Sequence, residues 1–462
     1  MAKNLLEQIE DLDFTKPETK IIVLGLFETM NDTIIELKNK VQLLEDEINR
    51  LKGEKGKPNI KAKNQKFENK MEKPKKKKHK KSRKKHKIEI NREVIVRINK
   101  STLPADAVFK GYSTNIIQGI IIRNDNVLYK REQYYSAKEN KTYIAQLEEG
   151  LQGTGFSPEL KAHILKMYFE QRITENLICS LLNDIGIIIS EGEISNIIIK
   201  EKQKELTQEK MEIFEAGISA TESSHIDDTG IRVNGKNEYA SIITSALYAV
   251  FFINPNKKMD TIKTMFTEKL LKLFKILVCD DAPQFKIAGI IIALCWVHEE
   301  RHYEKLNPHI KAHRAELEKV IKEIWEFYEK LKLYKQNPSE AFKNELEYEF
   351  EKIFKQDVNY PALNNRLKLT YAKKSELLVV LEYPNTELHN NISENGIRPI
   401  AVKRKISGGV RVEDGKIAWE NHMSILSTCK KLGVKYFDYI LEIYRGKRHE
   451  QSLADLIKVT AW

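Results

Sequence analysis

The chain's first clear pattern is an alternation of three- and four-residue spacings between apolar positions. Phe27, Met30, Ile34, Leu37, Val41, Leu44, Ile48 and Leu51 fall on this repeat, which predicts a helix with one continuous apolar stripe. Phe27, Ile34, Val41 and Ile48 take the a positions and Met30, Leu37, Leu44 and Leu51 the d positions, a set that favours two parallel strands and hence a homodimer through residues 27–51. In that register Lys40 faces Glu45 of a partner copy and Glu47 faces Lys52. A lone amphipathic helix is the competing arrangement, but it drifts off a strict 3.5-residue repeat. Gly53, Gly56 and Pro58 stop the helix, so residues 1–55 form an N-terminal helical unit and residues 56–87 a polar linker. In residues 88–149, short apolar runs (VIVRI, GIIIRN, NVLYKREQYY) alternate with turn residues and predict a small β-rich module.

Residues 150–215 change to helical signals. Ser157-Pro158 opens a helix to about Gln171, a second runs from Thr174 to Asn183 with Gly186 at the turn, and Ser190 and Glu193 cap a third containing Ile194, Ile197 and Ile198. The outline fits a DNA-reading helix-turn-helix and a structural helical hairpin equally well. Past Ala220 come SSHIDDTGIRV, a turn at Asn234-Gly235 and EYASIITSALYAVFFIN, enough for three antiparallel strands. A helix from Met259 to about Leu273, the strand KILVCDD, a connecting helix and the strand IIIALCWV complete the order. This is α/β, the element order of a ribonuclease H-like mixed sheet, over residues 216–440, with a tail at 441–462. Between about 298 and 381 the helical periodicity of AELEKVIKEIWEFYEKLKLY and SEAFKNELEYEFEKIF predicts a helical insertion, and a final helix from Lys416 to about Leu432 packs Trp419, Met423 and Leu426.

Charge sharpens this picture. The 462 residues carry a formal +12, and Lys73–Lys87 holds ten Lys and one Arg with no acid, so nearly all the excess sits in one cassette. Its Lys75, Lys76, Lys77, Lys78, Lys80, Lys81, Arg83, Lys84 and Lys85 suit a sequence-independent grip on DNA phosphates, or else a solvated tail. Four cysteines without a CxxC pair fit a reducing, cytoplasmic setting. The acidic N-terminus lacks a signal-type apolar core, and the longest apolar run, Ile287–Val297, is too short for a bilayer, so no membrane role is expected.

Two acid pairs interrupt the apolar strands: Asp227-Asp228 in the first and Asp280-Asp281 at the end of the fourth. A carboxylate in a strand core is costly unless paired, hydrated or bound to a cation, although each pair alone could be a solvated strand end. Glu394 supplies a third acid. Arg398 lies four residues on, hence on the same helical face, before Pro399, which is expected to end the turn. Three oxygen donors suffice for hard divalent ions, two of which about 3.5–4 Å apart activate a nucleophile and stabilise the leaving oxygen of a phosphodiester.

HIDDTG, LVCDD, CWVHEERHY and NNISENGIRPIAVKRK, in this order over residues 155–440, resemble the motifs of bacterial insertion-sequence transposases of the sixty-six type. The resemblance implies a DDE transposase that cuts element ends and joins their 3′ hydroxyls to target DNA with Mg²⁺ or Mn²⁺, in a bacterial, nucleoid-associated setting. By motif matching, Asp227, Asp280 and Glu394 are the catalytic and metal-binding acids, with Asp228 and Asp281 supporting them, and His298 and Arg301 near the active site and DNA. Similar transposases often carry a cysteine-paired zinc module before the helix-turn-helix, yet residues 88–149 hold no cysteine. Asp281-Ala282-Pro283 also stands where glycine and tyrosine are common, which fits tolerated drift or an inactive copy.

Arg398, Lys403, Arg404 and Lys405 place positive charge after Glu394, where substrate phosphates would lie. Cys295, His298, His309 and His313 resemble a Cys-His zinc set faintly, against which Cys295 falls in an apolar strand. The sequence therefore reads as a dimeric, DNA-binding, metal-dependent transposase, with accessory proteins from the same element as possible partners. The alternative is a DNA-binding or regulatory protein on the same scaffold without catalysis.

Overall fold

The computed structural model describes residues 17–51, 89–99, 102–104, 106–153, 155–287, 289–446 and 451–461. The chain divides into two units, Thr33–Ile121 on one side and Met1–Asp32 with Ile122–Trp462 on the other. Helix α1, Pro17–Leu51, covers the heptad region. Its Phe27, Met30, Ile34, Leu37, Val41 and Leu44 are exposed, and Lys40 pairs within the helix with Glu36 at 2.8 Å. The linker's basic run lies outside the described residues. Among the described residues of 88–149 a single hairpin forms, β1 (Gln133–Ser136) with β2 (Lys141–Ile144). Residues 89–99 and 106–132 form neither helix nor strand, and the apolar side chains of VIVRI and GIIIRN stay exposed for want of a pairing strand.

Helix α2 (Pro158–Leu165) starts where Ser157 Oγ accepts the Leu160 N–H at 3.3 Å, and a π turn at Lys166–Glu170 extends it. Helices α3 (Glu175–Asp184) and α4 (Glu191–Ile199) follow, the latter capped by Ser190 Oγ on the Glu193 N–H at 3.2 Å. Helix α5 (Gln203–Ala220) then leads into the sheet. Gly217 of α5 lies so close to Tyr248 that a Cβ would fall 2.3 Å from the ring, so only glycine permits this approach.

Strands β3 (Ser223–Val233), β4 (Lys236–Thr244) and β5 (Ala249–Asn254) form an antiparallel meander, while β6 (Ile276–Cys279) pairs parallel to β3 and β7 (Ile291–Leu294) parallel to β6. The five-stranded mixed sheet has the order β5-β4-β3-β6-β7. Two connections differ from expectation. The helix expected over 259–273 is two, α6 (Met259–Lys263) and α7 (Glu268–Leu273), because Thr267 Oγ1 caps the Leu270 N–H at 3.2 Å and restarts the chain. Between β6 and β7 runs a single 3₁₀ turn, Pro283–Phe285, in place of a helix.

The insertion is helical: α8 (Trp296–Glu304), α9 (Lys311–Gln336), α10 (Glu340–Phe354), α11 (Pro361–Tyr371), α12 (Lys374–Leu377) and α13 (Val379–Glu382). Buried Trp296 anchors it, packing on Phe327, Phe350 and Phe354. Helix α14 (Asn391–Ser407) continues through Pro399 and does not end there, since Ile397 and Ile400 are buried and hold both sides of the proline in the core. Helix α15 (Glu413–Leu432) runs along the sheet edge, where Thr428 Oγ1, Ser424 Oγ and Glu420 Oε1 accept the N–H groups of Ala249, Phe251 and Ile253 on β5 at 3.2, 2.9 and 2.8 Å. Helices α16 (Tyr436–Tyr444) and α17 (Leu453–Thr460) complete the described chain. No described helix is long and apolar enough to cross a membrane.

Candidate active site

Strand register and one helix bring the three acids together. Because His225 pairs with Val278 in the parallel β3–β6 ladder, Asp227 within β3 and Asp280 just past the end of β6, each two residues further on, lie side by side. Ile242 lies directly opposite Asp227 and so shares its face. That face receives α14, for a Cβ on Gly396 would fall 2.6 Å from Ile242 Cδ1. Glu394, in the first turn of α14, is thereby carried to the two aspartates.

Asn390, fully buried ahead of α14, holds the helix in place. Its Nδ2 donates to the Ile226 carbonyl at 2.8 Å, its N–H reaches Cys295 Sγ at 3.2 Å, and its carbonyl accepts the Glu394 N–H at 3.1 Å. With Nδ2 committed, Oδ1 accepts from His225 Nδ1 at 3.0 Å, which places the proton on that nitrogen. Burial pushes His225 down to about 4, so the ring is neutral at pH 7.

Burial pushes the Asp227 carboxyl up to about 6; the Asp228 N–H, 2.8 Å from Asp227 Oδ1, opposes this, while the charges of Asp280, Asp228 and Glu394 reinforce it. Burial also raises Asp280, opposed by the Ala282 N–H and by nearby His298. Glu394 Oε1 lies 3.6 Å from His298 Nε2 and 3.9 Å from Arg301 Nη1. It is nevertheless a buried carboxylate oxygen without a hydrogen-bond partner among the described residues. His298 Nε2 and Arg301 Nη1 are 3.2 Å apart. Three carboxylates, one with an orphaned oxygen, are hard donors of the kind a divalent cation takes.

The neighbouring acids turn elsewhere. Asp228 pairs with Lys257 and accepts from Gln284 Nε2 at 3.1 Å. Asp281 pairs with Lys286 at 3.1 Å and with Lys373; burial would raise its carboxyl, but the two lysines outweigh that and hold it below the usual carboxylate range. Lys373 also reaches Glu299 at 3.2 Å, and Glu299 further pairs with Arg366. The motif NNISENG contained Asn390, yet nothing in the sequence marked Lys257, Gln284 or Lys373 as neighbours of the acids.

The basic residues after Glu394 do not form one surface. Arg398 and Lys405 are exposed on the Glu394 side of α14, as helical spacing requires, and Arg404 is exposed with Nη1 on the Gly230 carbonyl at 2.9 Å. Lys403 corrects the expectation of a surface contact beside the acids: nine residues past Glu394, it projects from the opposite side of the helix and is half-buried. Its Nζ donates to Tyr168 Oη at 2.6 Å and sits 4.3 Å from the ring centroid, in a cavity of about 580 Å³ between α3, α4, α14 and α15. Burial pushes Lys403 down to about 8. The zinc set does not assemble either, with His313 stacked on Tyr360 at 5.1 Å and Cys295 engaged by Asn390. Among the described residues, the three acids included, no three His, Cys, Asp or Glu side chains stand as placed in a group that could hold a metal ion.

A curated relative, the uncharacterized protein y4jO of Sinorhizobium fredii (strain NBRC 101917 / NGR234), is 38% identical over 165 residues, 36% of this chain and 51% of that protein. The chain thus spans about half the length of this relative. The profile of the Transposase IS66 family matches residues 153–417, which include the whole sheet, the helical insertion and all three acids. The chain belongs to the Transposase IS66 family.

Proposed function

We propose that the chain is a DNA transposase of the DDE type, which cuts the ends of a bacterial insertion sequence and joins their 3′ hydroxyls to target DNA at a ribonuclease H-like site formed by Asp227, Asp280 and Glu394. The antiparallel meander flanked by two parallel strands supports that fold. The observation that carries the reading is geometric. Strand register sets Asp227 beside Asp280, and α14, seated on Ile242 through Gly396, carries Glu394 in its first turn to the same face.

Asp227, Asp280 and Glu394 would hold Mg²⁺ or Mn²⁺, which supplies Lewis acidity and an activated nucleophile at a phosphodiester. The unpartnered Glu394 Oε1 fits such a cation. The chain's own residues orient the substrate. Arg301 flanks Glu394 and presents positive charge to a phosphate, His298 beside it accepts from Arg301 Nη1 through Nε2, and Arg398 and Lys405 extend that charge along the same side of α14. Arg404 adds to it from the neighbouring side, while Asn390 keeps the Glu394 helix against β3.

In this reading helices α2–α4 contribute to binding element ends, and the basic run Lys75–Lys85 grips phosphates without regard to sequence. The exposed heptad positions of α1 pair two protomers, bringing two ends together. Accessory proteins of the same element are compatible with this scheme. Asp227→Asn is expected to reduce Mg²⁺-dependent cleavage and joining to background while DNA binding persists. Cleavage at the wild-type rate would reject the site.

A further inference from the structure

Lys373 stands between two parts of the site that share no strand or helix. Its Nζ pairs with Asp281, the residue after Asp280, and lies 3.2 Å from Glu299, the residue after His298. Both pairings come from the helical insertion, since Lys373 lies between α11 and α12. The lysine and Glu299 side chains are only 15% and 3% exposed, so this is an interior contact.

Lys286 holds the other Asp281 oxygen at 3.1 Å and Glu376 at 3.2 Å, while Arg366 pairs with Glu299. Thr370 Oγ1 donates to Glu299 at 2.5 Å and lies 2.6 Å from Tyr303 Oη. Lys286, Lys373 and Arg366 thus balance Asp281, Glu299 and Glu376, and removing one member leaves a buried charge uncompensated. Within Asp281-Ala282-Pro283 the acid is drawn to Lys286 and to Lys373 of the insertion.

We infer that Lys373 is a positioning residue, by which the helical insertion fixes the Asp280 loop and the His298–Arg301 helix relative to each other so that the three acids can take a divalent cation. This rests on the metal-dependent reading of the three acids. Outer partners of metal-binding groups typically change affinity about 10–100-fold when removed.

The test is calorimetric titration of the full chain with Mn²⁺, with circular dichroism to confirm folding. Lys373→Met is expected to weaken Mn²⁺ binding at least about tenfold, and Lys373→Arg to recover most of it, because a guanidinium can still bridge two carboxylates. Asp281→Asn, which leaves Lys373 on Glu299 and Lys286 on Glu376, should weaken binding in the same direction and carries the test if Lys373→Met fails to fold. Wild-type binding that folded Lys373→Met and Asp281→Asn both leave within about threefold overturns the positioning role alone. Wild-type protein that binds no Mn²⁺ removes the metal-dependent reading, and this inference with it.

Discussion

His422 is fully buried, stacked on Phe169 with ring centroids 4.3 Å apart, and Tyr436 Oη lies 2.9 Å from its Nδ1. Burial pushes it down to about 3, so the folded chain keeps the ring neutral while an unfolded chain protonates it near its ordinary 6.5. Between those values the unfolded state binds the extra proton. Stability from this residue is therefore complete above about 6.5 and falls as pH drops toward 3, by at most about 1.4 kcal/mol per pH unit. His422→Gln, whose amide can still hydrogen-bond Tyr436 but does not titrate, should flatten that acid limb in denaturant titrations across the window. A slope equal to wild type would contradict the assignment. Residue-scale geometry also explains why KRK after Glu394 misleads as a string. Consecutive helical residues turn by about 100°, so Lys405 stays on the Glu394 side while Lys403 points behind the helix to Tyr168.

Elements owe their placement here to side chains from distant parts of the chain. Strand β5 would be an open edge, but α15 presents Glu420, Ser424 and Thr428, spaced one turn apart, as acceptors for alternate strand N–H groups. Ser424→Ala leaves the Phe251 N–H buried without an acceptor and should cost about 1–3 kcal/mol in chemical denaturation. A cost near zero would mean that the strand edge is satisfied in another way. Helix α14 depends likewise on Gly396, which lets it approach Ile242, and on Asn390, which ties its start to β3. Both lie in the motif read from the sequence. Their roles require β3 and β4, more than a hundred residues earlier.

At the scale of the whole molecule, the proposed pairing of two protomers rests on α1, whose apolar stripe is exposed within one chain. Leu37→Glu with Leu44→Glu puts acids at two d positions and should weaken dimerisation at least about a hundredfold in sedimentation equilibrium, with the circular dichroism of the remaining chain little changed. Variants that sediment as wild type would place any self-association elsewhere.

Local rules determined much of this protein from the sequence alone. The heptad helix, the Ser157 and Ser190 caps, the three-strand meander and the helical character of the insertion follow from periodicity and capping, which act over a few residues. The acids stood out because carboxylates are costly in apolar strands. Tertiary structure alone decided which strands lie adjacent, that Asp227 and Asp280 emerge side by side, and that α14 runs through Pro399. It also decided that Asp281 turns to Lys373, a partner supplied by the insertion. The apolar runs in 89–132 show the same limit from the other side, since an alternating pattern makes a strand only where another strand completes its hydrogen bonds.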